Sequence, residues 1–398
     1  MPILYNIPIL IGALGRPTMP AFSILFLLEP MTRSIIVTAV PLMALEKFGT
    51  AQNVSVFFFV LGISGVTMSL VVPWLVSKMR RRGTFLMGII TGLIGMALFT
   101  HGEIWSLCAG MAIHLFAASC IDVTLNLYMM EHIRRRDFGR FEPVRMFFLA
   151  FSWCVGPFLG VYLRNAVAPE APFIAGGMVI LILAAYFLYL RFVDHPTLAT
   201  SRIPVTNPIR YLPRFFAQPR MRLVYVLSLV RSGWWTMIFI YVPIYCVTAG
   251  LGETMGGALV SLTTLFVMSA PLWRGLVQRI GIRHILYIGY FGTGIVTIVA
   301  SALMDEPYIT IGTILIAGLF AVATDAVGNT LFYRAVHPYE RSEMATVFAS
   351  YRPVSSLAFP GIYSGVLAIF PLAGVFAVTG VCMMAAGAIA SYIPKRMN

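Results

Sequence analysis

Apolar residues come in twelve long runs, near residues 20–45, 51–77, 84–102, 104–131, 144–165, 171–193, 222–249, 255–278, 284–304, 307–334, 343–368 and 371–393. A helix needs about 20 residues to cross the hydrocarbon core of a bilayer, and each run is close to that length or beyond it. Helices hydrogen-bond their own backbone, so such a chain can live in lipid; in water it would lack a polar exterior. Composition agrees, with 59% of the 398 residues hydrophobic and 11% charged, against about 25% charged in a soluble domain. The expected fold class is therefore an all-α polytopic membrane protein with twelve transmembrane helices. Residues 1–19 carry Pro2, Pro8, Pro17 and Arg16, which break the apolar pattern. They read as an interfacial segment, and the lack of a basic n-region argues against a cleavable signal peptide.

A net charge of +13 would suit nucleic acid, but the basic residues are placed as topology signals. If the N-terminus is cytoplasmic, all but five of the 28 Lys and Arg fall in cytoplasmic loops or at the termini. Lys47 and Arg164 lie on the other side, and Arg33, Arg231 and Arg352 lie within spans. This asymmetry puts both termini in the cytoplasm and makes the lipid bilayer, with no nucleic acid, the expected partner. Arginine far outnumbers lysine, which suggests a bacterial inner membrane. The five cysteines, Cys108, Cys120, Cys154, Cys246 and Cys382, sit in apolar runs without paired spacing and read as small buried residues.

The longest polar stretch, 194–221, carries five prolines and divides the chain into 1–193 and 222–398, each with six spans. The halves resemble each other. Asp122 and Asn126 in span four recur as Asp325 and Asn329 in span ten, and Pro157 in span five recurs as Pro360 in span eleven. Val40-Pro41 recurs as Val242-Pro243, and Lys78 as Arg279, all at a separation of about 200 residues. Parallel six-helix repeats make up one large class of transporters.

On these features the chain resembles the major facilitator superfamily over nearly its whole length. The turn between spans two and three, Ser77-Lys78-Met79-Arg80-Arg81-Arg82-Gly83, is echoed by Gln278-Arg279-Ile280-Gly281-Ile282-Arg283. The family pattern there is Gly-x-x-x-Asp-Arg-x-Gly-Arg-Arg, with serine and glutamine here in place of its aspartate. Gly156-Pro157-Phe158-Leu159-Gly160 looks like the Gly-Pro-x-x-Gly motif of the family's exporters. The resemblance implies two pseudo-symmetric six-helix bundles around a central cavity, alternating access, and a binding role for spans one and seven. It also marks Lys78, Arg80, Arg81, Arg82, Gly156, Pro157 and Gly160 as gating or conformational residues.

Ionisable residues inside spans carry the chemistry, because a charge at mid-membrane costs about 2.5–3.5 kcal/mol on insertion scales. Asp122 and Asp325 each have an amide, Asn126 or Asn329, four residues on and so on the same helix face. With Glu29 these carboxylates are the expected proton-coupling groups. Arg33 and Arg231 are the expected substrate ligands, since arginine grips carboxylates and phosphates with paired hydrogen bonds. Glu29 lies four residues before Arg33, close enough to pair with it. The repeat spacing aligns Glu29 with Arg231, whereas the two Arg-Ser pairs align Arg33 with Arg231, and the sequence leaves this open. Trp234 and Tyr241 share a face and could line the site, together with Asn126 and Asn329. Arg352, Glu131 and Arg334 complete the expected gate residues.

The six histidines, at 101, 114, 132, 195, 284 and 337, lack metal-ligand spacing, and there is no phosphate-binding loop. An enzyme, a metal or a cofactor is therefore not expected. The expected activity is secondary transport of a small anionic or zwitterionic organic solute, coupled to protons or another ion, by a functional monomer. The alternatives are an exporter of lipophilic compounds, a lysolipid flippase and, more remotely, a membrane-embedded lipid enzyme.

Overall fold

The computed structural model describes residues 18–133, 138–192, 208–327, 330–337 and 340–393. Part of the N-terminal segment, much of the 194–221 stretch and Asn329 lie outside the described residues. The longer helices are α1 (Thr18–Ser34), α2 (Ala39–Phe48), α3 (Ala51–Thr100), α4 (Ile104–His132), α5 (Phe138–Ala166) and α6 (Ala171–Phe192). They continue as α7 (Pro219–Thr248), α8 (Glu253–Leu265), α9 (Ala270–Ile280), α10 (Ile282–Ala302), α11 (Pro307–Val327) and α12 (Arg341–Ala349). The last two are α13 (Tyr351–Leu367) and α14 (Ala373–Ala390).

Among the described residues, nine helices are long and apolar enough to cross a membrane. The difference from twelve runs has local causes. Spans two and three form the 50-residue α3, which is bent at Arg80. The run 255–278 is split into α8 and α9 by a 3-10 turn at Phe266–Ser269. Pro271 in the first turn of α9 has no N–H to continue the preceding helix. The run 343–368 is split at Ser350, three residues before Pro353, for the same reason.

Span one is also broken. Between α1 and α2 the chain turns through Ile35–Thr38. Four consecutive β-branched residues, Ile35, Ile36, Val37 and Thr38, are poor helix formers, and Pro41 cannot donate to the carbonyl of Val37. Close against this break lie two glycines of α5. A Cβ on Gly156 would collide with Ser34, and one on Gly160 with the carbonyl of Ile35. The Gly-Pro-x-x-Gly segment thus lets α5 approach the backbone of span one where that span bends.

Contacts divide the chain into two units, Met1–Ile36 with Val71–Val205, and Val37–Leu70 with Thr206–Asn398. The boundary inside span one coincides with the Ile35–Thr38 break, and that inside span two falls just before Pro73. The second unit accordingly includes the start of α3, where the Ser55 hydroxyl meets the Tyr241 hydroxyl at 2.6 Å. There Gly62 leaves no room for a Cβ against the backbone of Leu357. Residues Pro20–Phe48 and helix α7 are the most buried spanning stretches, 67% and 56%, against 44% or less for the others. Spans one and seven therefore face protein rather than lipid.

One pair of hydrogen bonds sets the register of these two spans. In the first unit Ser152 of α5 donates to the carbonyl of Leu27 in α1 at 2.7 Å. In the second, Ser355 of α13 donates to the carbonyl of Leu229 in α7 at 3.0 Å. The two bonds are the same bond repeated. Counting two residues on from each carbonyl equates Glu29 with Arg231, and counting six equates Arg33 with Trp235. The alternative alignment of the two arginines is excluded.

The basic turns repeat in the same way. Arg80 has φ 61° and ψ 167°, and Gly281 has φ 86° and ψ 158°. Only glycine adopts this region without strain, at a cost of about 1–3 kcal/mol for other residues. The family pattern has glycine at both places, and the first repeat departs from it. Arg80→Gly is expected to raise the apparent melting temperature of the purified protein, by an amount equivalent to about 1 kcal/mol. Gly281→Ala should lower it. A neutral or destabilising Arg80→Gly would refute the strain.

Candidate functional site

Among the described residues, each unit holds intramembrane charge on its most buried span. In the second unit Arg231 projects from α7 toward α11. Its Nε lies 3.3 Å from Asp325 Oδ1, its Nη1 donates to the carbonyl of Thr324 at 3.2 Å and its Nη2 reaches the Tyr351 hydroxyl at 3.5 Å. Trp235, one turn along α7, donates its indole N–H to Asp325 Oδ2 at 2.9 Å. Both carboxylate oxygens are therefore engaged, one by a cation and one by a neutral donor. Arg352 closes the cluster, donating from Nε to the Tyr351 hydroxyl at 3.2 Å with its guanidinium 5.8 Å from the centre of that ring.

In the first unit Glu29 and Arg33 of α1 form an ion pair at 2.7 Å, with Glu29 buried and the Arg33 side chain 31% exposed. On α4, Asn126 donates to Asp122 Oδ1 at 3.0 Å and to the Asp122 carbonyl at 2.9 Å. His114, also on α4, is buried. Its imidazole lies 6.4 Å from the Phe99 ring, and its backbone is in contact range of Gly95 on the neighbouring α3.

The units thus share a scaffold but not a chemistry. Where the second has Arg231 and Trp235 gripping Asp325, the first has Glu29 and Arg33 gripping each other. The carboxylate of Asp122 is held by an amide of its own helix.

Of the other residues singled out from sequence, Trp234 and Tyr241 are buried in packing. The Trp234 indole donates to Thr297 Oγ1 at 3.1 Å, and Tyr241 packs edge-on to Tyr363. It is Trp235, not Trp234, that reaches the charge. The signal was present, because Trp235 lies four residues from Arg231 and so on its face. Tyr351 and His114 were not singled out. Tyr351 sits beside Arg352 in sequence, but nothing in one sequence ties it to Arg231. Lys78, Arg80 and Arg82 are exposed, as are Arg334 and Arg352. Arg81 lies over the Tyr128 ring at 6.0 Å. The side chain of Glu131 lies outside the described residues.

Comparison with known proteins places the fold. The family profile of the Major Facilitator Superfamily matches residues 22–360. No curated protein sequence matches. Among solved structures, the peptide transporter POT in complex with alafosfalin is similar at a TM-score of 0.78 and 12% identity, over 95% of this chain and 94% of that one. The nucleoside transporter NupG is similar at 0.70 and 15% identity, over 94% and 99%. A POT family transporter in complex with 5-aminolevulinic acid is similar at 0.71 and 12% identity, over 92% and 94%. At these identities the likeness is one of fold.

Removing one partner of a buried ion pair leaves an uncompensated charge, at a cost of about 3–5 kcal/mol. Asp122 is half-buried and bonded within its own helix, so its loss costs about 1 kcal/mol. Asp325→Ala is expected to lower the melting temperature of the purified protein far more than Asp122→Ala. Equal losses would refute the assignment of Asp325 as the counter-ion of Arg231.

Proposed function

Because the chain belongs to the major facilitator superfamily, we propose that it is a proton-coupled secondary transporter for a small anionic or zwitterionic organic solute. Membership makes it an integral membrane transporter rather than an enzyme. The coupling and the substrate class are our reading. The observation that carries the coupling is the Arg231–Asp325 pair, with the second carboxylate oxygen on Trp235. Protonation of Asp325 removes the charge that neutralises a buried arginine. The cluster then has a reason to rearrange, which is how a proton can bias a two-state transporter.

Intramembrane arginines support the substrate class, because a permanently charged guanidinium in lipid favours carboxylate or phosphate partners. Some of the structures similar in fold were solved with 5-aminolevulinic acid or with sulfate, ligands of this kind. We further propose that Asp122 and Glu29 take part in proton coupling, and that the protein acts as a monomer with both termini in the cytoplasm of a bacterium. Alternating access would move the halves 1–193 and 222–398 about the linker 194–221. Gly156, Pro157 and Gly160 would serve this movement by holding α5 against the bend in span one. An exporter of lipophilic compounds is the second reading, favoured by the close approach of that same exporter-like motif to Ser34 and Ile35.

Proteoliposomes with an imposed pH gradient test the proposal. Wild type should accumulate labelled zwitterions or organic anions, and a protonophore should abolish the accumulation. Asp325→Asn, which keeps the shape but cannot carry the proton, should lose gradient-driven accumulation and keep solute exchange. Accumulation that survives in Asp325→Asn would sink the coupling assignment. Transport confined to lipophilic cations would favour the second reading.

A further inference from the structure

The polar stretch 194–221 separates the two sets of spans, and its described end, from Pro208, belongs to the second unit. That end is folded. A 3-10 turn, Pro208–Tyr211, runs into the short helix Leu212–Ala217, and Gln218 then leads into α7. Phe215 of this helix is fully buried and meets the Tyr225 ring of α7 edge-on at 5.9 Å. Phe216 meets the same ring at 5.3 Å. Aromatic contact thus seats the end of the stretch on the start of α7.

Polar contacts carry it on to α12. Glu340, the residue before α12, is 6% exposed. Arg214 forms an ion pair with its Oε1, and Gln218 donates from Nε2 to its Oε2 at 3.3 Å. An enclosed carboxylate is costly unless its oxygens are met, and here both donors come from the end of the linker. At the other end of α12 the hydroxyls of Tyr225 and Ser350 meet at 3.1 Å. The nine-residue α12, which opens span eleven, is therefore fastened at both ends.

Its connection to the rest of span eleven is weaker. Pro353 has no N–H for the carbonyl of Ala349, so the helical ladder is one bond short where α12 meets α13. Ser350 fills the break locally, giving its N–H and its hydroxyl to the Val347 carbonyl. The inner face of α12 buries Met344, Val347 and Phe348, but apolar contact has no direction. The bonds to Glu340 and Ser350 supply it. Tyr351 follows the break directly, and its hydroxyl receives Arg231 Nη2 at 3.5 Å. Where α12 stands thus bears on the charge cluster.

We propose that the end of the linker is a latch on α12. Arg214 and Gln218 hold Glu340, and α12 comes away as one segment about Ser350 when they let go. A pull on the linker then reaches Tyr351 and Arg231 through α12, without a solute or a proton. The latch stands apart from the coupling and substrate readings above, and it can fail without them.

Hydrogen–deuterium exchange of the detergent-purified full-length protein tests it, because exchange reads local opening segment by segment. Isolated helices shorter than about 12–15 residues are marginal in water, so α12 exchanges its amides once it is released. The variants are Arg214→Ala, which removes the cation, and Glu340→Gln, which keeps the size of the side chain and removes its charge. Arg210→Ala, at an exposed arginine four residues from Arg214, is the control. Loss of one bond to a charged group predicts exchange about 10- to 100-fold faster for amides 344–350 in both variants. The change should stop at the break, leaving amides from Ser355 onward in α13 as in wild type. Amides of α10 and α14, which pack on each other, should not change, and the melting temperature should stay close to that of wild type.

Unchanged exchange of 344–350 in either variant overturns the latch. So does acceleration spread evenly through α10, α13 and α14, or loss of a cooperative melt, because the contact would then hold the whole second unit together. An equal acceleration in Arg210→Ala overturns it as well, since net charge rather than the Glu340 contact would be the cause.

Discussion

Hydrocarbon offers no hydrogen bonds, and this single constraint orders the whole molecule. It makes the backbone helical, since helices alone satisfy their amides within one segment. It also forces each polar side chain in a span to find a partner within the protein or to be kept for a purpose. Hydroxyls show the first outcome. Ser152 and Ser355 donate to carbonyls of the neighbouring span, Thr124 donates within its own helix, and Tyr290 donates to the Leu227 carbonyl. Charges show both outcomes. Each nitrogen of Arg231 and each oxygen of Asp325 is engaged, whereas among the described residues Arg33 Nε and His114 Nδ1 have no partner.

The serine bonds explain how a repeated scaffold can carry unlike chemistry. They lock span five to span one and span eleven to span seven at matching heights. Whatever replaces the residues two and six positions further on is then presented at the same depth in each unit. A carboxylate and an arginine there give a pair internal to one helix, as with Glu29 and Arg33. An arginine and a tryptophan give a grip on the carboxylate of the next span, as with Arg231 and Trp235 on Asp325. Asp122 and Asp325 are repeat equivalents by sequence, yet one meets an amide of its own helix and the other a cation from another.

What sequence made legible follows from the range of the interactions involved. The apolar runs, the repeat and the intramembrane charges depend on composition and periodicity, so they were readable. The Glu29–Arg33 pair depends on a four-residue spacing and was readable too. The breaks in spans one, eight and eleven arise where prolines meet β-branched or polar neighbours, and hydropathy averages over them. The choice of Trp235 over Trp234 depends on which helix faces α11, and the role of Tyr351 on packing between α7 and α13. Such contacts join residues about 100 positions apart, and one sequence carries no signal for them.

Position 80 shows where sequence and geometry together say more than either. The pattern of the basic turn asks for glycine, and the second repeat supplies it at Gly281 in the conformation that needs it. The first repeat places Arg80 in nearly the same conformation. The turn is therefore not one that the backbone preference of residue 80 would choose. A long cationic side chain at such a turn lies at the membrane surface, where anionic headgroups reward its charge. The backbone bears strain there in exchange for a basic group that glycine could not provide.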